Sequence, residues 1–140
     1  MTTIAALRRL VRRRLRSAVP GPQLRGAQVE LLQVIEDQPG IGIAPAGRAL
    51  QLAANSVSTL VNQLIDLGML VRDTAPEDRR AARLWLTKAA TQRLAAWRQA
   101  RIELVADAMA GLPVADRQAL ARALPALRAL LAALDAGERR

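Results

Sequence analysis

Two short segments at the centre of the chain constrain its fold more than any other feature. They cover about residues 44–50 and about residues 55–67, only a few residues separate them, and Gly68 follows the second. Helices of this length joined by so short a turn are typical of a helix-turn-helix. In the second segment, apolar residues at helical spacing predict a buried face, which consists of Val57, Leu60, Val61, Leu64 and Ile65.

A pair of short predicted strands follows the second helix. Gly68 fits a helix C-cap, and residues 70–72 and 83–86 have the composition of strands on either side of a polar loop, residues 73–82. A β-hairpin directly after the second helix of such a motif is a wing. The sequence therefore predicts a mainly α-helical fold with a small β-hairpin wing, a winged helix-turn-helix lobe over residues 24–86.

Further helices are predicted on both sides of this lobe, within a single domain of residues 1–140. Proline and glycine end the first helix after residue 18, and a second helix ends near Gln38. Thr87 is the predicted N-cap of a long helix that runs to about Ala110.

Leucines in the last predicted helix, about residues 114–134, recur at spacings of four and three, the pattern of a helix that packs against another helix. Pro125 lies within this row, so we expect a kink or break near Leu124. The leucine row fits packing within a single-chain core or against a second copy in a dimer. We favour a dimer, because a small protein with a winged module between helices at both ends more often uses such helix faces for dimerisation. The predicted dimerisation helices are residues 3–18 and 87–135, with interface residues Leu7, Leu120, Leu124, Leu127, Leu131 and Leu134.

Positive charge is concentrated at the start of the chain. The formal net charge is +9, and residues 1–25 hold seven arginines and no acidic residue, so they supply +7 of it. Nucleic acid and anionic membranes both attract such a surface. The stretch also has the composition of an organelle transit peptide, but its helical apolar spacing favours a packed first helix. Whether these arginines contact DNA or solvent stays open.

Several function classes are excluded by composition. Cysteine and histidine are absent, which removes thiol redox sensing, disulfides, the usual zinc sites and imidazole acid–base chemistry. No cluster of candidate nucleophiles, bases or metal ligands is present, so we predict no enzyme, no metal and no cofactor. No apolar run approaches the roughly 18 residues of a spanning helix. We expect a cytoplasmic protein without a membrane partner.

Three motifs in order resemble the MarR family of bacterial transcriptional regulators: residues 64–72 (LIDLGMLVR), residues 78–80 (DRR) and residues 84–87 (LWLT). The resemblance implies a homodimer whose recognition helices enter successive major grooves of a pseudo-palindromic site, with each wing beside the minor groove. It also implies release from DNA by a small, often aromatic or anionic, ligand. Ala53 and Ala54 depart from the serine and proline common in the family, so we expect Asn55 to cap the recognition helix.

Polar uncharged side chains on the second helix of the motif are predicted to contact DNA. Hydroxyl and amide groups match the donor and acceptor pattern of the major groove. We predict base contacts from Ser56, Thr59, Asn62 and Gln63, and a phosphate contact or local cap from Ser58. Asn55, if it caps the helix, contacts no base. An ordinary solvated helix face is the alternative interpretation of these residues, and the wing that follows favours DNA contact.

The wing supplies the remaining predicted DNA contacts. Of Arg79 and Arg80, one reaches the minor groove or its phosphates and the other pairs with Asp78, which in the resemblance braces the hairpin. Arg72 and Arg83 flank the hairpin and contact phosphate or form plain surface ion pairs. Trp85 is expected on the outer face of the wing, stacked on an arginine.

The sequence thus predicts a sequence-specific double-stranded DNA-binding regulator, a repressor, that acts as a homodimer with a small-molecule effector. Its ligand-binding residues are not identified by any motif. The main alternative is an architectural protein that binds DNA with little sequence preference. A membrane-surface protein built on the first helix is a weaker alternative, because the residues from Gly26 to Leu86 do not fit it.

Overall fold

The computed structural model describes residues 2–74 and 82–138 of the chain. In order, these residues form α1 (Thr3–Ala18), α2 (Gly26–Asp37), β1 (Ile41–Gly42), α3 (Ile43–Leu50), α4 (Ala54–Asp66), β2 (Leu70–Thr74), β3 (Ala82–Leu86), α5 (Lys88–Ala110) and α6 (Val114–Glu138). The predicted mainly helical fold with a small antiparallel hairpin is confirmed. The chain divides into two compact units, Met1–Arg101 and Ile102–Arg140.

The core of the first unit lies between α2, α4 and β3. Apolar residues at helical spacing on α2 and α4 point toward one another, and each large side chain removed from water contributes about 1.5–3 kcal/mol. The largest fully buried side chains are Leu31, Leu32, Ile35, Val57, Val61, Leu64 and Leu84. One predicted member of the α4 face is wrong: Ile65 is 36% exposed, because it lies at the edge of the buried stripe that Val57, Val61 and Leu64 form.

The sheet has three strands in the order β1-β3-β2, all antiparallel. Ile41 pairs with Leu84, so β1 adds a third strand to the sheet. Sequence periodicity did not predict this strand, because a segment of two residues is too short to show an alternating pattern. The hairpin is also longer than expected. Asp73 and Thr74 pair with Arg83 and Ala82 as strand residues, since a solvent-exposed ladder needs no apolar alternation. The predicted wing residues Asp78, Arg79 and Arg80 lie outside the described residues.

Gly68 ends α4 in the way the sequence predicts. Its φ is +71°, the left-handed conformation that favours glycine. The Gly68 amide donates to the Ile65 carbonyl at 2.9 Å and the Met69 amide to the Leu64 carbonyl at 2.8 Å. These two bonds form a Schellman motif. The motif turns the chain from α4 directly into β2.

Thr87 caps α5 as predicted and also connects it to α4. Its Oγ1 accepts from the Ala90 amide at 3.2 Å and donates to the Gly68 carbonyl at 2.7 Å. The Thr87 amide donates to the Met69 carbonyl at 3.1 Å. The end of α4 and the beginning of α5 are therefore joined by backbone and side-chain bonds.

α1 packs loosely on the first unit. It contains no buried residue, and Ile4, Leu7 and Leu10 are 74%, 56% and 42% exposed. Arg8 lies 3.8 Å from Glu30 of α2, but both side chains are exposed, so the pair contributes little. α1 is therefore an amphipathic helix whose apolar side is largely exposed to solvent.

The second unit holds the end of α5 and all of α6. α6 continues as one helix through Pro125 to Glu138, so the predicted break is wrong. Proline forfeits one backbone bond and crowds the preceding turn, but strong helix formers surround it and the helix has 25 residues. The leucine row is open on this helix, with exposures of 49–66% at Leu120, Leu124, Leu127, Leu130, Leu131 and Leu134.

Among the described residues, none of the helices combines the length and the apolar character that crossing a membrane requires.

Candidate nucleic-acid interface

The exposed side of α4 is polar and uncharged. Ser56, Thr59 and Asn62 are exposed, whereas Ser58 and Gln63 are half-buried. The opposite side of the same helix is fully buried in the core. Burial thus fixes which hydroxyl and amide groups α4 presents to solvent.

The start of α4 differs from the prediction. The N-cap residue is Ala53, whose side chain offers no hydrogen bond, and its carbonyl already accepts from the Val57 amide at 3.1 Å. Asn55 lies inside the first turn, so the predicted Asn55 cap is wrong. Its Oδ1 accepts from the Ser56 amide at 2.8 Å, which satisfies one of the orphan donors of that turn. Thr59 Oγ1 donates back to the Asn55 carbonyl at 3.0 Å.

A side-chain bond links α4 to the hairpin. Arg72 Nη2 of β2 donates to Asn62 Oδ1 at 3.0 Å. Both residues were predicted to contact DNA separately, and the structure brings them together. The bond fixes the direction of the Asn62 amide and leaves its NH₂ group to donate elsewhere.

A second amide bond links α4 to α2. Gln28, which is 5% exposed, donates from Nε2 to Gln63 Oε1 at 3.0 Å. Gln28 Oε1 in turn accepts from the Arg25 amide at 2.8 Å. The Gln63 Oε1 atom is therefore bonded to a buried side chain, and the predicted base contact of Gln63 would use its NH₂ group. Sequence periodicity did not identify Gln28, because it is a polar residue on the buried side of α2, where the pattern leads one to expect apolar side chains.

The base of the hairpin rests on the turn before β1. Arg83 Nη1 donates to the Gly40 carbonyl at 3.4 Å, a long hydrogen bond. Trp85 is 42% exposed, as expected for the outer face of the wing. Its ring lies against Gly40, where an added Cβ would come within 2.9 Å of it. Among the described residues, the arginine stacked on an indole is Arg93 on Trp97, not one on Trp85.

Basic side chains of α1 border a shallow groove of about 310 Å³. Arg13, Arg16, Ser17 and Gln23 line it. Two guanidinium groups with no acid among the lining residues attract anions such as DNA phosphates.

A bidentate ion pair holds α5 against α2. Arg98 donates to Glu36 from Nη1 at 2.7 Å and from Nη2 at 3.1 Å. The hydrogen bonds and the charge of Glu36 raise the pKa of Arg98 above its ordinary value. The two hydrogen bonds therefore orient α5 relative to α2.

Known proteins are similar to this chain in sequence and in fold. The sequence model of the MarR family matches residues 23–81. A Thauera aromatica protein, assigned as a transcriptional regulatory protein for the hcr operon, is 36% identical over 117 residues, which span 84% of this chain and 68% of that protein.

Solved structures of other proteins share this fold. A transcriptional regulator structure from Pseudomonas aeruginosa has a TM-score of 0.74 and 25% identity, covering 91% of this chain and 90% of its own. Streptococcus pneumoniae FabT, crystallised with DNA, has a TM-score of 0.61 and 20% identity. The match covers 80% of this chain and 78% of the FabT chain.

Proposed function

The chain belongs to the MarR family of transcriptional regulators, and from this premise we propose that it represses transcription as a homodimer bound to a specific double-stranded DNA site. One observation carries the proposal: α4 is buried on its apolar side and presents Ser56, Thr59 and Asn62 outward, next to a β-hairpin. A helix of this width fits a major groove, and these groups can bond base edges. The family relation supports α4 as the recognition helix.

The proposed roles follow the contacts of each side chain. Ser56, Thr59 and Asn62 contact base edges. Gln63 contributes its NH₂ group, because its bond to Gln28 uses Oε1. Phosphate contacts come from Ser58 and from the Asn55 end of the helix, where the positive helix dipole favours anions. In the wing, Arg72, Arg79, Arg80 and Arg83 contact the backbone or the minor groove, and Asp78 braces the hairpin.

The homodimer is supported by open apolar surface on both terminal helices. Leu7 on α1 and the leucine row of α6 are each at least 49% exposed. Apolar side chains in such rows favour burial against another helix. In this proposal residues 3–18 and 87–135 dimerise, residues 24–86 form the DNA-binding lobe, and a pseudo-palindromic site matches the twofold axis.

FabT was crystallised with DNA, which supports double-stranded DNA as the partner here. We extend the proposal to release from DNA by a small-molecule ligand and to action in the cytoplasm. Chemistry on a substrate is not part of it.

Selection from random duplexes at physiological salt tests the function. The selected duplex should be pseudo-palindromic and bound at least about a thousandfold more tightly than a scrambled one, the usual margin of specific sites. The variant Ser56→Ala/Thr59→Ala/Asn62→Ala should lose that margin while it keeps its fold by circular dichroism.

The arginine-rich α1 favours one second candidate, a nonspecific architectural DNA-binding protein. In that case no duplex would be enriched, affinity would fall steeply with salt, and the α4 variant would bind as well as the unchanged protein. The absence of enrichment, or unchanged binding by the α4 variant, would contradict a specific repressor.

A further inference from the structure

Two glutamine side chains form a hydrogen-bonded chain from the start of α2 to α4. Gln28 of α2 is buried, and its Oε1 accepts from the Arg25 backbone amide at 2.8 Å. Its Nε2 donates to Gln63 Oε1 of α4 at 3.0 Å. The oxygen and the nitrogen of the Gln28 amide are therefore both bonded within the protein.

The backbone of Arg25 fixes the direction of both side-chain amides. A peptide N–H group only donates, so the Gln28 atom that faces it has to be the acceptor Oε1. Nε2 then faces α4 and needs an acceptor there, which Gln63 supplies with its own Oε1. Turning either amide over would bring two donors or two acceptors together beside a buried group, which costs free energy. The orientation of Gln63 thus originates at the N-cap of α2.

Gln63 lies on the same face of α4 as two of the predicted base contacts. Ser56, Thr59 and Gln63 follow one another at spacings of three and four residues, which places them along one side of a helix. Ser56 and Thr59 are exposed, and Gln63 is half-buried. With Oε1 bonded to Gln28, the group that Gln63 can offer to a ligand on this side is its NH₂ donor.

We propose that Gln28 is a positioning residue that makes Gln63 select a keto base, guanine or thymine, in the major groove. This role rests on the proposed function, in which α4 enters that groove. Guanine presents the acceptors N7 and O6 there, and thymine presents O4. Adenine and cytosine instead present amino groups, which are donors. A glutamine that offers only its NH₂ group therefore favours the keto bases.

The buried position of Gln28 makes this selection strict. A freely rotating glutamine bonds adenine through its oxygen and its nitrogen together. Gln63 could do so only by releasing Gln28, whose Nε2 would then lose its acceptor. Because Gln28 is 5% exposed, water would not readily replace that acceptor. Discrimination against adenine thus arises from a residue on α2, behind the helix that contacts the bases.

Selection from random duplexes, with the unchanged chain and with Gln63→Met, identifies the base concerned. It is the position at which Gln63→Met loses its preference. There the unchanged chain should favour guanine or thymine over adenine and cytosine by about fivefold or more, the usual effect of one mismatched pair. Preference for adenine or cytosine at that position would overturn the proposal, and so would a Gln63→Met variant that loses preference at no position.

Gln28→Glu should reverse the preference. At about pH 8 its carboxylate is ionised and only accepts, so Gln63 has to turn its NH₂ group inward and present Oε1 to DNA. The favoured base should change to adenine or cytosine, whose amino groups donate. Gln33→Glu makes the same change at an exposed position of α2 and should keep the keto preference. A keto preference that survives Gln28→Glu would refute the role of Gln28.

Two further variants separate positioning from a structural role. In the Gln63→Met background, Gln28→Glu should change no base preference, because the residue that it orients is gone. Gln28→Met removes the donor without adding charge and should broaden the preference to include adenine, which covers the case that circular dichroism shows Gln28→Glu to be unfolded. If the unchanged chain enriches no duplex at all, the proposed function fails, and the role of Gln28 on DNA fails with it.

Side-chain hydrogen exchange tests the orientation in the free protein, without DNA. By NMR, the NH₂ protons of Gln28 should exchange with water more slowly than those of Gln63, because the Gln28 group is buried and bonded. In Gln28→Glu, the NH₂ group of Gln63 should become protected. Equally fast exchange of both groups in the unchanged chain would refute the fixed orientation while leaving the repressor function standing.

Discussion

Removing the Arg72 guanidinium should change how Asn62 contacts DNA. Arg72 Nη2 holds Asn62 Oδ1 at 3.0 Å between two exposed side chains, so Arg72→Met frees the amide to rotate. Loss of a good side-chain contact to a base costs about 1–3 kcal/mol. The bond that orients Asn62 is worth less, about 0.5–1 kcal/mol, because solvent screens an exposed pair.

A double-mutant cycle on the selected duplex measures that smaller quantity. Asn62→Ala should reduce affinity about 5- to 150-fold. This factor is the free energy of the base contact, about 1–3 kcal/mol, expressed as a ratio of dissociation constants. Arg72→Met should weaken all duplexes through its lost phosphate contact and reduce the salt slope by about one. The double variant should bind about 2- to 5-fold better than the two single effects predict.

The refuting result is additivity. If the two effects multiply with no coupling, or if Arg72→Met leaves the preference at the base facing Asn62 unchanged, the bond does not orient Asn62 on DNA. Arg101→Met supplies the control for general loss of positive charge, because Arg101 is exposed on α5.

Three further predictions concern stability and assembly. Thr87→Val loses the bonds to Gly68 and Ala90 and should lower the free energy of unfolding in urea by about 1–3 kcal/mol, whereas Thr87→Ser, which keeps the hydroxyl, should cost much less. Gly47→Ala places a Cβ 2.8 Å from the Leu52 carbonyl oxygen and should cost about 1–3 kcal/mol in the same assay; Gly137→Ala, with nothing within 4 Å, should be neutral. Leu127→Glu/Leu131→Glu should lower the sedimentation coefficient to that of a monomer, with Arg128→Gln as control; an unchanged value would place the dimer interface elsewhere.

Sequence patterns predicted the parts of this fold that depend on local chemistry. Helix limits followed from proline, glycine and apolar spacing, and the Gly68 turn and the Thr87 cap act within a few residues of themselves. The same patterns missed β1, which is too short to show a period. They also predicted a possible break at Pro125, whereas α6 is continuous through that residue.

The details of the candidate interface were less predictable, because they depend on partners distant in sequence. Gln63 is held by Gln28, 35 residues earlier, and Asn62 by Arg72 on a strand. Helical periodicity identifies a face, but it does not identify which polar groups on that face are already bonded.

The bonds at Thr87 also bear on the geometry of a DNA site. They join the last turn of α4, through Gly68 and Met69, to the first turn of α5. A rotation of the first turn of α5 would therefore displace α4, the proposed recognition helix, from its C-terminal end. In a homodimer, the inclination of the two α5 helices would then set the distance between recognition helices. The number of base pairs between half-sites would be determined by residues that never contact DNA.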